Sequence, residues 1–414
     1  MRCTFIATHY PPSTGFGGVC ESSFGLSRAL ARAGIDVAVV TSDATKGSRL
    51  SPEAFAAVEE DSLRIHPFRH LFNERSCFSL TARRVIEDLM ADSDIVHVNG
   101  IYTHPVTVAA RAAKRAGKPH IVACRNGLDP WMMRIKRTKK LLGFKLYVKA
   151  DLDGATCVHV TAQHEMDACL SMGIRGPFTI IPNGIHPPEF SSLPEADLAE
   201  QRWPVLKDRK VVLFLSRLSP QKGLDILIPA WQTIMRKHPD ALLVVAGPDY
   251  LSYERFVREL AVASPYSGDI LFTGNVVGEA KLALYRRADV FALPSYSENF
   301  GNVVAEALMC ETPVVTTHAT PWDELEKYSC GRYVPVDREA IVDAIDSILR
   351  LPAEERALMG RRGRDFILSS YTWDAAARKM ITVYKAILGG EEIPLRPETC
   401  AQGSHSSWSG SHLA

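Results

Sequence analysis

The stretch Ser297-Glu298-Asn299-Phe300-Gly301-Asn302-Val303-Val304-Ala305-Glu306 places two carboxylates eight positions apart, around a loop that enters a helix. Before it, residues 288–294 form a short apolar run that stops at a proline, the pattern of a buried strand. After it, the residues from Val303 to Cys310 are apolar enough for a packed helix, which we expect to begin near Asn302. The stretch therefore predicts a strand, a loop and a helix in succession.

The start of this helix predicts an anion site. If the helix begins near Asn302, the backbone N–H groups of Val303 and Val304 are unpaired first-turn donors at the positive end of its dipole, which suits a diphosphate. Glu306 lies one turn further along, and helical side chains lean towards the N-terminus, so its carboxylate can accept hydrogen bonds from ribose hydroxyls. We expect Glu298, on the loop, to lie near a sugar. Taken alone, two such glutamates would more often be structural, with Glu298 capping the helix region and Glu306 on a solvated face.

Length and composition are those of an ordinary globular protein. The 414 residues are enough for two or three domains, each able to bury its own core. Apolar residues make up 46% and charged residues 23% of the chain, and the formal net charge is +1, so no overall field selects nucleic acid as a partner. The apolar part of the N-terminus is too short for a signal peptide, and no apolar run is long enough for a transmembrane helix.

Nine cysteines are scattered along the chain without C-x-x-C spacing. An odd number of cysteines without a recurring spacing favours reduced thiols and a cytoplasmic setting over a disulfide framework. Because none of them has the spacing of metal ligands, we expect no bound metal, and no motif calls for a cofactor.

Short β-rich runs alternate with helical patterns through both halves of the chain. In the first half we predict strands over 3–8, 36–41, 94–99 and 120–124, and helices over 19–33, 81–90 and 106–116. After a proline-bounded loop over 187–204, we predict strands over 211–216, 241–246, 270–273, 290–293 and 314–317. This βαβα order predicts an α/β protein with two Rossmann-like domains that face a central cleft.

Two cations follow the first predicted strand of the second half. The run Val211-Val-Leu-Phe-Leu-Ser-Arg217 leads into Leu-Ser-Pro-Gln-Lys222-Gly223. A guanidinium and an ammonium at a loop mouth can neutralise the charge of a departing nucleoside diphosphate. Taken alone, Arg217 and Lys222 would be ordinary surface charges, but they share this chain with Glu298 and Glu306.

Together these segments resemble the E-x7-E and R-x4-K-G elements of retaining family-4-type glycosyltransferases (glycosyl transferases group 1) of the GT-B fold. The resemblance extends over about residues 1–389 and is densest between Val211 and Thr317. It implies an N-terminal acceptor-side domain over 1–195, a nucleotide-sugar domain over 196–370, and a helix over 371–389 that crosses back to the first domain. We predict that the polar tail over 390–414 is disordered.

The resemblance also assigns roles to residues. It implies catalytic roles for Glu298, Arg217 and Lys222. Substrate-binding positions are then Gly17, Gly18, Asn126, Phe300, Gly301, Asn302, Val303, Val304 and Glu306. Two D-x-D strings, Asp92 to Asp94 and Asp151 to Asp153, could suggest a metal-dependent transferase of the other major fold. Each of them precedes an apolar run and lies away from the glutamates, so we interpret both as chance.

The first loop, Gly15-Phe-Gly17-Gly18, is a weak dinucleotide fingerprint because Cys20 stands where a third glycine is required. We interpret it as a loop whose glycines let the backbone approach a phosphate or the acceptor across the cleft, with a plain strand-to-helix turn as the alternative.

Several residues depart from the family pattern or qualify it. His186 replaces an aspartate that often follows the turn Pro182-Asn183-Gly184. Arg125 and Asn126 stand where many relatives carry a histidine that faces the sugar, so a histidine base cannot be placed there. His97 and His104 flank the preceding loop, where a structural role is the commoner one.

From this sequence we expect a retaining, metal-independent transferase that moves a hexose from a nucleoside diphosphate sugar to a glycan or a lipid-linked glycan. A nucleotide-sugar epimerase or hydrolase of the same fold, or a non-catalytic sugar-nucleotide-binding protein, are the alternatives. No short motif encodes the base, the sugar or the acceptor.

A basic segment suggests where the protein works. Residues Trp131 to Lys145 carry six cations and no acid, with apolar side chains between them. We expect a basic helix that can hold the first domain on the inner face of an anionic membrane, with an ordinary packed helix as the alternative.

Overall fold

Two parallel sheets organise the chain, of which the computed structural model describes residues 1–13 and 17–397. The strands of the first half are β1 (Arg2–Ala7), β2 (Asp36–Ser42), β3 (Ala44–Thr45), β4 (Ser48–Arg49), β5 (Leu63–Phe68), β6 (Ile95–Asn99), β7 (His120–Ala123), β8 (Cys157–Val160) and β9 (Phe178–Ile180). Its helices are α1 (Gly18–Arg32), α2 (Pro52–Ala56), α3 (Ala82–Ala91), α4 (His104–Arg115), α5 (Pro130–Arg134), α6 (Arg137–Gly143), α7 (Lys149–Asp153) and α8 (Gln163–Ser171).

The first sheet has the order β5-β2-β1-β6-β7-β8-β9, and all its strand pairs are parallel. The strands β3 and β4 form a separate antiparallel hairpin. Sheet order reverses between β1 and β6, so their carboxyl ends open a crevice at the switch point, where ligands of doubly wound folds bind.

The second half repeats this plan after the helix α9 (Asp197–Arg202). Its strands are β10 (Lys210–Leu215), β11 (Ala241–Ala246), β12 (Ile270–Gly274), β13 (Val290–Leu293), β14 (Val314–Thr317) and β15 (Gly331–Val334). Its helices are α10 (Leu224–Lys237), α11 (Tyr253–Val262), α12 (Gly278–Arg287), α13 (Asn302–Met309), α14 (Arg338–Leu349), α15 (Ala353–Ser370) and α16 (Trp373–Gly389). The sheet order is β12-β11-β10-β13-β14-β15, again entirely parallel. The predicted α/β architecture with two Rossmann-like halves is confirmed.

Burial on both faces explains why the inner strands could be found from sequence. Every residue of β11, β13 and β14 is buried, because helices cover both sides of the sheet. Such strands have near-continuous apolar sequences.

Helix α16 returns to the first half. Its residues Ala376, Met380 and Tyr384 pack in the same core cluster as Phe5 and Leu26. The chain passes between the halves twice, and the two crossing segments lie side by side. Ile185 N donates to Tyr371 O at 2.7 Å, and Trp373 N donates to Ile185 O at 3.1 Å. A Cβ on Gly184 would lie 2.3 Å from Trp373 N, so this close crossing requires a glycine.

Besides the short hairpin of β3 and β4, four strands of the two parallel sheets escaped the sequence prediction: β5, β8, β9 and β15. Three of them are sheet edges, where charged or polar residues are common. In β5, Arg64, His66 and Pro67 interrupt the apolar run, and proline is tolerated only at such an edge. The remaining one, β8, is only four residues long and contains His159.

Two further expectations are corrected. The basic segment is not one helix, because α5 ends at Arg134, Lys136 adopts a left-handed φ of 53°, and α6 then leads into a π-helical turn at Phe144–Val148.

The start of the predicted disordered tail is ordered instead: Ile180 N donates to Leu395 O at 2.7 Å and Thr179 Oγ1 to Pro394 O at 3.0 Å. The rest of that prediction, over 398–414, lies outside the described residues.

Within residues 1–13 and 17–397, no helix combines the length and the apolar character needed to cross a bilayer. The eight cysteines of the same ranges are buried and free.

Candidate functional site

The loop between β13 and α13 forms the centre of the site. Gly301 has a left-handed φ of 80° and precedes α13, which begins at Asn302 as the sequence predicted. The N–H of Val303 belongs to the first turn, where an α-helix offers no internal acceptor. The N–H of Val304 instead donates to Gly301 O at 2.8 Å, and its side chain is buried. Val304 is therefore not a free donor, and our prediction for it is corrected.

Phe300 also departs from its predicted role. Its side chain is 2% exposed and packs 4.9 Å from the ring of Trp322 and 5.7 Å from that of Tyr371. Trp322 Nε1 donates to Phe300 O at 2.6 Å. Phe300 thus anchors the loop in the core and does not present its ring to a ligand.

Lys222 and Glu298 form a buried ion pair, each side chain being 8% exposed. Ser295 Oγ donates to the same carboxylate oxygen at 2.9 Å. Lys222 follows β10 and Glu298 follows β13, and these strands are neighbours, so their carboxyl ends bring the two loops together. Gln221 Nε2, donating to Ser297 O at 2.6 Å, fixes the loops further.

Arg217 lies apart from this pair. Its side chain is exposed, and its guanidinium lies over the ring of Tyr250, 5.2 Å from the ring centre. Among the described residues it forms no ion pair with a carboxylate. The structure therefore brings together Lys222 and Glu298, while Arg217 stands at the outer edge of the same strand end.

Glu306 faces α12 and a cavity of about 280 Å³. Its carboxylate accepts from Lys281 Nζ at 3.1 Å and from Tyr285 Oη at 3.0 Å. Burial by itself lowers the pKa of Lys281, but the charge of Glu306 and the hydrogen bond to it outweigh burial and raise that pKa. Lys281 therefore stays charged at neutral pH. Glu21 of α1 and Asn302 line the same cavity, so both halves contribute to it.

Gly17 and Gly18, which follow β1, lie near Asn302 and therefore near this cavity. Gly17 has φ 69°, and a Cβ on Gly18 would lie 3.7 Å from Asn302 Nδ2. The N-termini of α1 and α13 therefore lie side by side. Two helix N-termini and a nearby ammonium form an environment that favours a phosphate group.

Asn126 brings the first half to the glutamate loop. Its Nδ2 lies 3.4 Å from Ser297 Oγ, while its Oδ1 is buried without a partner among the described residues. Arg125 points inwards and donates to Asn99 Oδ1 and to Asn183 Oδ1. Burial lowers the pKa of Arg125 to about 10, so it remains a cation at neutral pH.

Neither of the two histidines considered from sequence reaches the site. His97 is fully buried in β6, and its Nδ1 lies 2.7 Å from Tyr384 Oη of α16. His104 begins α4, and the centre of its ring lies 4.5 Å from that of Phe78, with the two rings tilted by 52°. The aspartates of the two D-x-D strings are likewise used elsewhere: Asp92 and Asp94 contact Arg2, and Asp151 and Asp153 pair with Arg111 and Lys149.

Sequence reasoning missed several residues of the site. Lys281 and Tyr285 were missed because they lie on α12 and not on the glutamate loop or α13. Their four-residue spacing, which places both side chains on one face of a helix, was the available signal. His164 and Glu165 of α8 contact the loop that carries Glu298. They were missed because nothing in the sequence of α8 distinguishes them from surface residues. Asn183 was seen only as part of a turn, yet its Nδ2 lies 3.3 Å from Asn302 Oδ1 across the cleft.

Comparison with known proteins shows which family the chain resembles. Residues 197–366 match the model of glycosyl transferases group 1, and residues 16–188 match that of glycosyltransferase family 4. An uncharacterised glycosyltransferase of Methanocaldococcus jannaschii is 31% identical over 211 residues, which are 50% of this chain and 53% of that protein. This chain thus spans about half the length of that relative.

Two further proteins cover more of the chain. A GDP-mannose-dependent α-(1-6)-phosphatidylinositol monomannoside mannosyltransferase of Mycolicibacterium smegmatis is 30% identical over 69% of this chain and 75% of its own length. The structure of HepE from Anabaena in complex with UDP-glucose superposes with a TM-score of 0.72 at 18% identity, covering 93% of this chain and all of HepE. Likeness at that identity shows the fold alone. On the sequence matches, this chain belongs to the family-4-type glycosyltransferases of the GT-B fold.

Proposed function

We propose that the protein transfers a hexose from a nucleoside diphosphate sugar to a glycan or lipid-linked glycan acceptor, with retention of configuration and without a metal. The observation that carries the proposal is the buried Lys222–Glu298 pair beside the N-terminus of α13. Binding of UDP-glucose by HepE and use of GDP-mannose by the mycobacterial relative support a nucleotide sugar as the donor.

In the proposed mechanism, fixed charges stabilise the leaving diphosphate. The Val303 amide, Lys222 and Arg217 would take up its negative charge as the glycosidic bond loosens. For Arg217 this requires the exposed guanidinium to leave Tyr250 and turn into the cleft. The acceptor hydroxyl then attacks from the same face, and its proton passes to the departing phosphate oxygen. Glu298 would orient the donor hydroxyls and stabilise positive charge on the ring, and Glu306 would hold the ribose.

A ligand screen tests the donor. A nucleotide sugar at about one hundred times its Kd should raise the free energy of unfolding by roughly 2.7 kcal/mol, which a thermal-shift panel of UDP-, GDP- and ADP-sugars would detect. Transfer to acceptor should then continue in EDTA, with the product anomer read by NMR. Donor consumption at full rate without acceptor would favour an epimerase or hydrolase, and loss of transfer in EDTA with recovery in manganese would contradict the metal-free mechanism.

The two glutamates should separate in kinetics. Glu306→Gln should weaken binding of the nucleoside diphosphate product, because it removes the proposed acceptor of the ribose hydroxyls. Glu298→Gln should lower kcat by about tenfold or more and leave that affinity within about twofold. Isothermal calorimetry with the product, beside steady-state rates, measures both. Equal loss of product affinity in the two variants would contradict the assignment.

We further propose that the basic segment holds the first half on the inner face of an anionic membrane. Arg134, Lys136, Arg137, Lys139 and Lys145 are all exposed. Among these cations Ile135 is 42% and Leu142 59% exposed, and Leu146, which directly follows the segment, is 67% exposed. Leu142 and Leu146 lie one turn apart on the same face of the chain. Exposed apolar side chains among cations are the composition of interfacial segments, and a lipid-linked acceptor would be reached there.

A further inference from the structure

One buried carboxylate contacts both halves of the molecule. Glu165 of α8 is 2% exposed. Within the first half, it accepts from the backbone N–H of Asn126, from Thr161 N at 2.7 Å and from Thr161 Oγ1 at 3.0 Å. From the second half, the carboxamide of Asn299, in the orientation that satisfies both groups, places its nitrogen 3.0 Å from Glu165 Oε2.

The contact to Asn126 stabilises a strained loop. Arg125 and Asn126 are consecutive non-glycine residues with φ 51° and 62°. Non-glycine residues seldom adopt this left-handed conformation, so the surroundings must hold the loop in it. Glu165 holds the Asn126 N–H, and this conformation is the one that directs Asn126 Nδ2 towards Ser297.

The start of α8 and Thr161, two residues before it, also secure the loop that carries Glu298. Thr161 Oγ1 lies 3.1 Å from Asn299 O, and His164 Nε2 lies 2.8 Å from Glu298 O. These contacts all fall on residues that flank or form the first glutamate of the E-x7-E element. A single turn of the first half therefore sets the position of the second half's loop.

The charge of Glu165 matters for these contacts. Its two oxygens accept from N–H and O–H donors, and within the described ranges no cation lies within ion-pair distance of it. A neutral glutamine would turn one N–H group towards donors that already point at this site. Hydrogen bonds to a charged acceptor are stronger than those to a neutral one, and a buried donor left unsatisfied destabilises the fold, so the substitution should loosen these contacts.

We propose that Glu165 is a positioning residue for the transfer reaction. It holds Asn126 on the acceptor side and Asn299 on the donor side, so that the two loops meet in register when the cleft is closed. The inference rests on the proposed function for its kinetic consequence, but the structural coupling can be measured without it.

The kinetic test compares Glu165→Gln with a matched control. Glu165→Gln should lower kcat by at least about tenfold while the Kd of the nucleoside diphosphate product changes by less than about twofold. Asp346→Asn is the control, because Asp346 of α14 is also a buried carboxylate, 6% exposed, but it pairs with Lys237 and His238 at the end of α10. It should lower Tm and leave kcat unchanged. An unchanged kcat in Glu165→Gln would overturn the proposal.

Asn299→Ala provides a second variant. Asn299 is half-buried, and its replacement removes only one hydrogen-bond partner of the Glu165 carboxylate. It should lower kcat in the same way, and the double variant should lose less than the sum of the two single losses in activation free energy, as expected for residues in direct contact. Full additivity would overturn the coupling.

Hydrogen–deuterium exchange keeps the test independent of catalysis. In Glu165→Gln the amides of Asn126 and of residues 297–300 should exchange faster by about tenfold or more, while those of β14 stay unchanged. Unchanged exchange at these amides would overturn the proposal even if activity falls. If wild-type protein transfers no sugar, the proposed function fails, and the exchange result still decides whether Glu165 holds the two loops.

Discussion

At the scale of single residues, the ion pair of Lys222 and Glu298 allows a stability prediction. Both side chains are buried, and removing one charge leaves the other without its partner. Lys222→Met should lower the free energy of unfolding by about 3–5 kcal/mol. Adding Glu298→Gln should restore most of that loss, and on the roles proposed above both variants should transfer sugar more slowly than wild type. Urea unfolding of the single and double variants measures this. A double variant as unstable as Lys222→Met would contradict the prediction.

Sequence reasoning at this scale identified charges better than it identified contacts. Lys222, Glu298 and Glu306 stand at the strand ends and helix start where their spacing placed them. The sequence could not predict that Lys222 would pair with Glu298, because this depends on β10 and β13 being neighbours. It also could not predict that Phe300 would turn into the core, since an aromatic residue beside a binding loop can face either way.

At the scale of elements, the turn between β10 and α10 depends on one glycine. Gly223 has φ 75°, and a Cβ there would lie 1.9 Å from Pro294 O. Gly223→Ala should lower the free energy of unfolding by at least about 2 kcal/mol, from left-handed strain plus displacement of the β13 loop. Gly268→Ala is the control, because no atom lies within 4 Å of its Cβ position. Equal Tm values for the two variants would contradict the prediction.

The interrupted basic segment can be tested as an element in its own right. Wild-type protein should float with liposomes that contain anionic lipid, at low salt, and should stay below with neutral liposomes. Changing Lys136, Arg137, Lys139 and Lys145 to Gln should reduce flotation strongly, because each cation near an anionic leaflet contributes about 1 kcal/mol. A matched control changes four exposed cations elsewhere: Arg236, Arg255, Arg361 and Arg362. Equal flotation of the two variants would mean that this segment is ordinary scaffold.

Element prediction succeeded where burial is complete and failed at the margins. The strands β11, β13 and β14 have the bounds predicted for them, because each is a buried apolar run with clear ends. The basic segment was predicted as one helix because its composition favours helix throughout. The left-handed Lys136 that breaks it has no sequence signature of its own, since lysine seldom adopts this conformation.

At the scale of the whole molecule, two buried histidines connect the first sheet to the segments that join the halves. His97 Nδ1 contacts Tyr384 of α16, and His159 Nε2 lies 2.9 Å from Ile181 O, just before the crossing. Burial lowers the pKa of His159 to about 3 and holds that of His97 well below its usual range, with the charge of Arg125 adding to both effects. Both side chains are therefore neutral in the folded protein under ordinary conditions.

These shifts give stability a defined pH dependence. An unfolded histidine has a pKa of about 6.5, so below that pH the unfolded chain binds protons that the folded protein refuses. The free energy of unfolding should then decrease as pH falls from about 6.5, by about 1.4 kcal/mol per pH unit for each such histidine. Above about pH 7 the contribution of both histidines is fully present.

Urea unfolding between about pH 4.5 and 6.5 measures the slope. His159→Gln keeps a donor for Ile181 O but cannot be protonated, so its slope should be smaller than that of wild type by about 1.4 kcal/mol per pH unit. His318→Gln is the control, because His318 is exposed, and its slope should equal that of wild type. If His159→Gln keeps the wild-type slope, His159 is already protonated in the folded protein, and the connection between the first sheet and the crossing segment would need a different explanation.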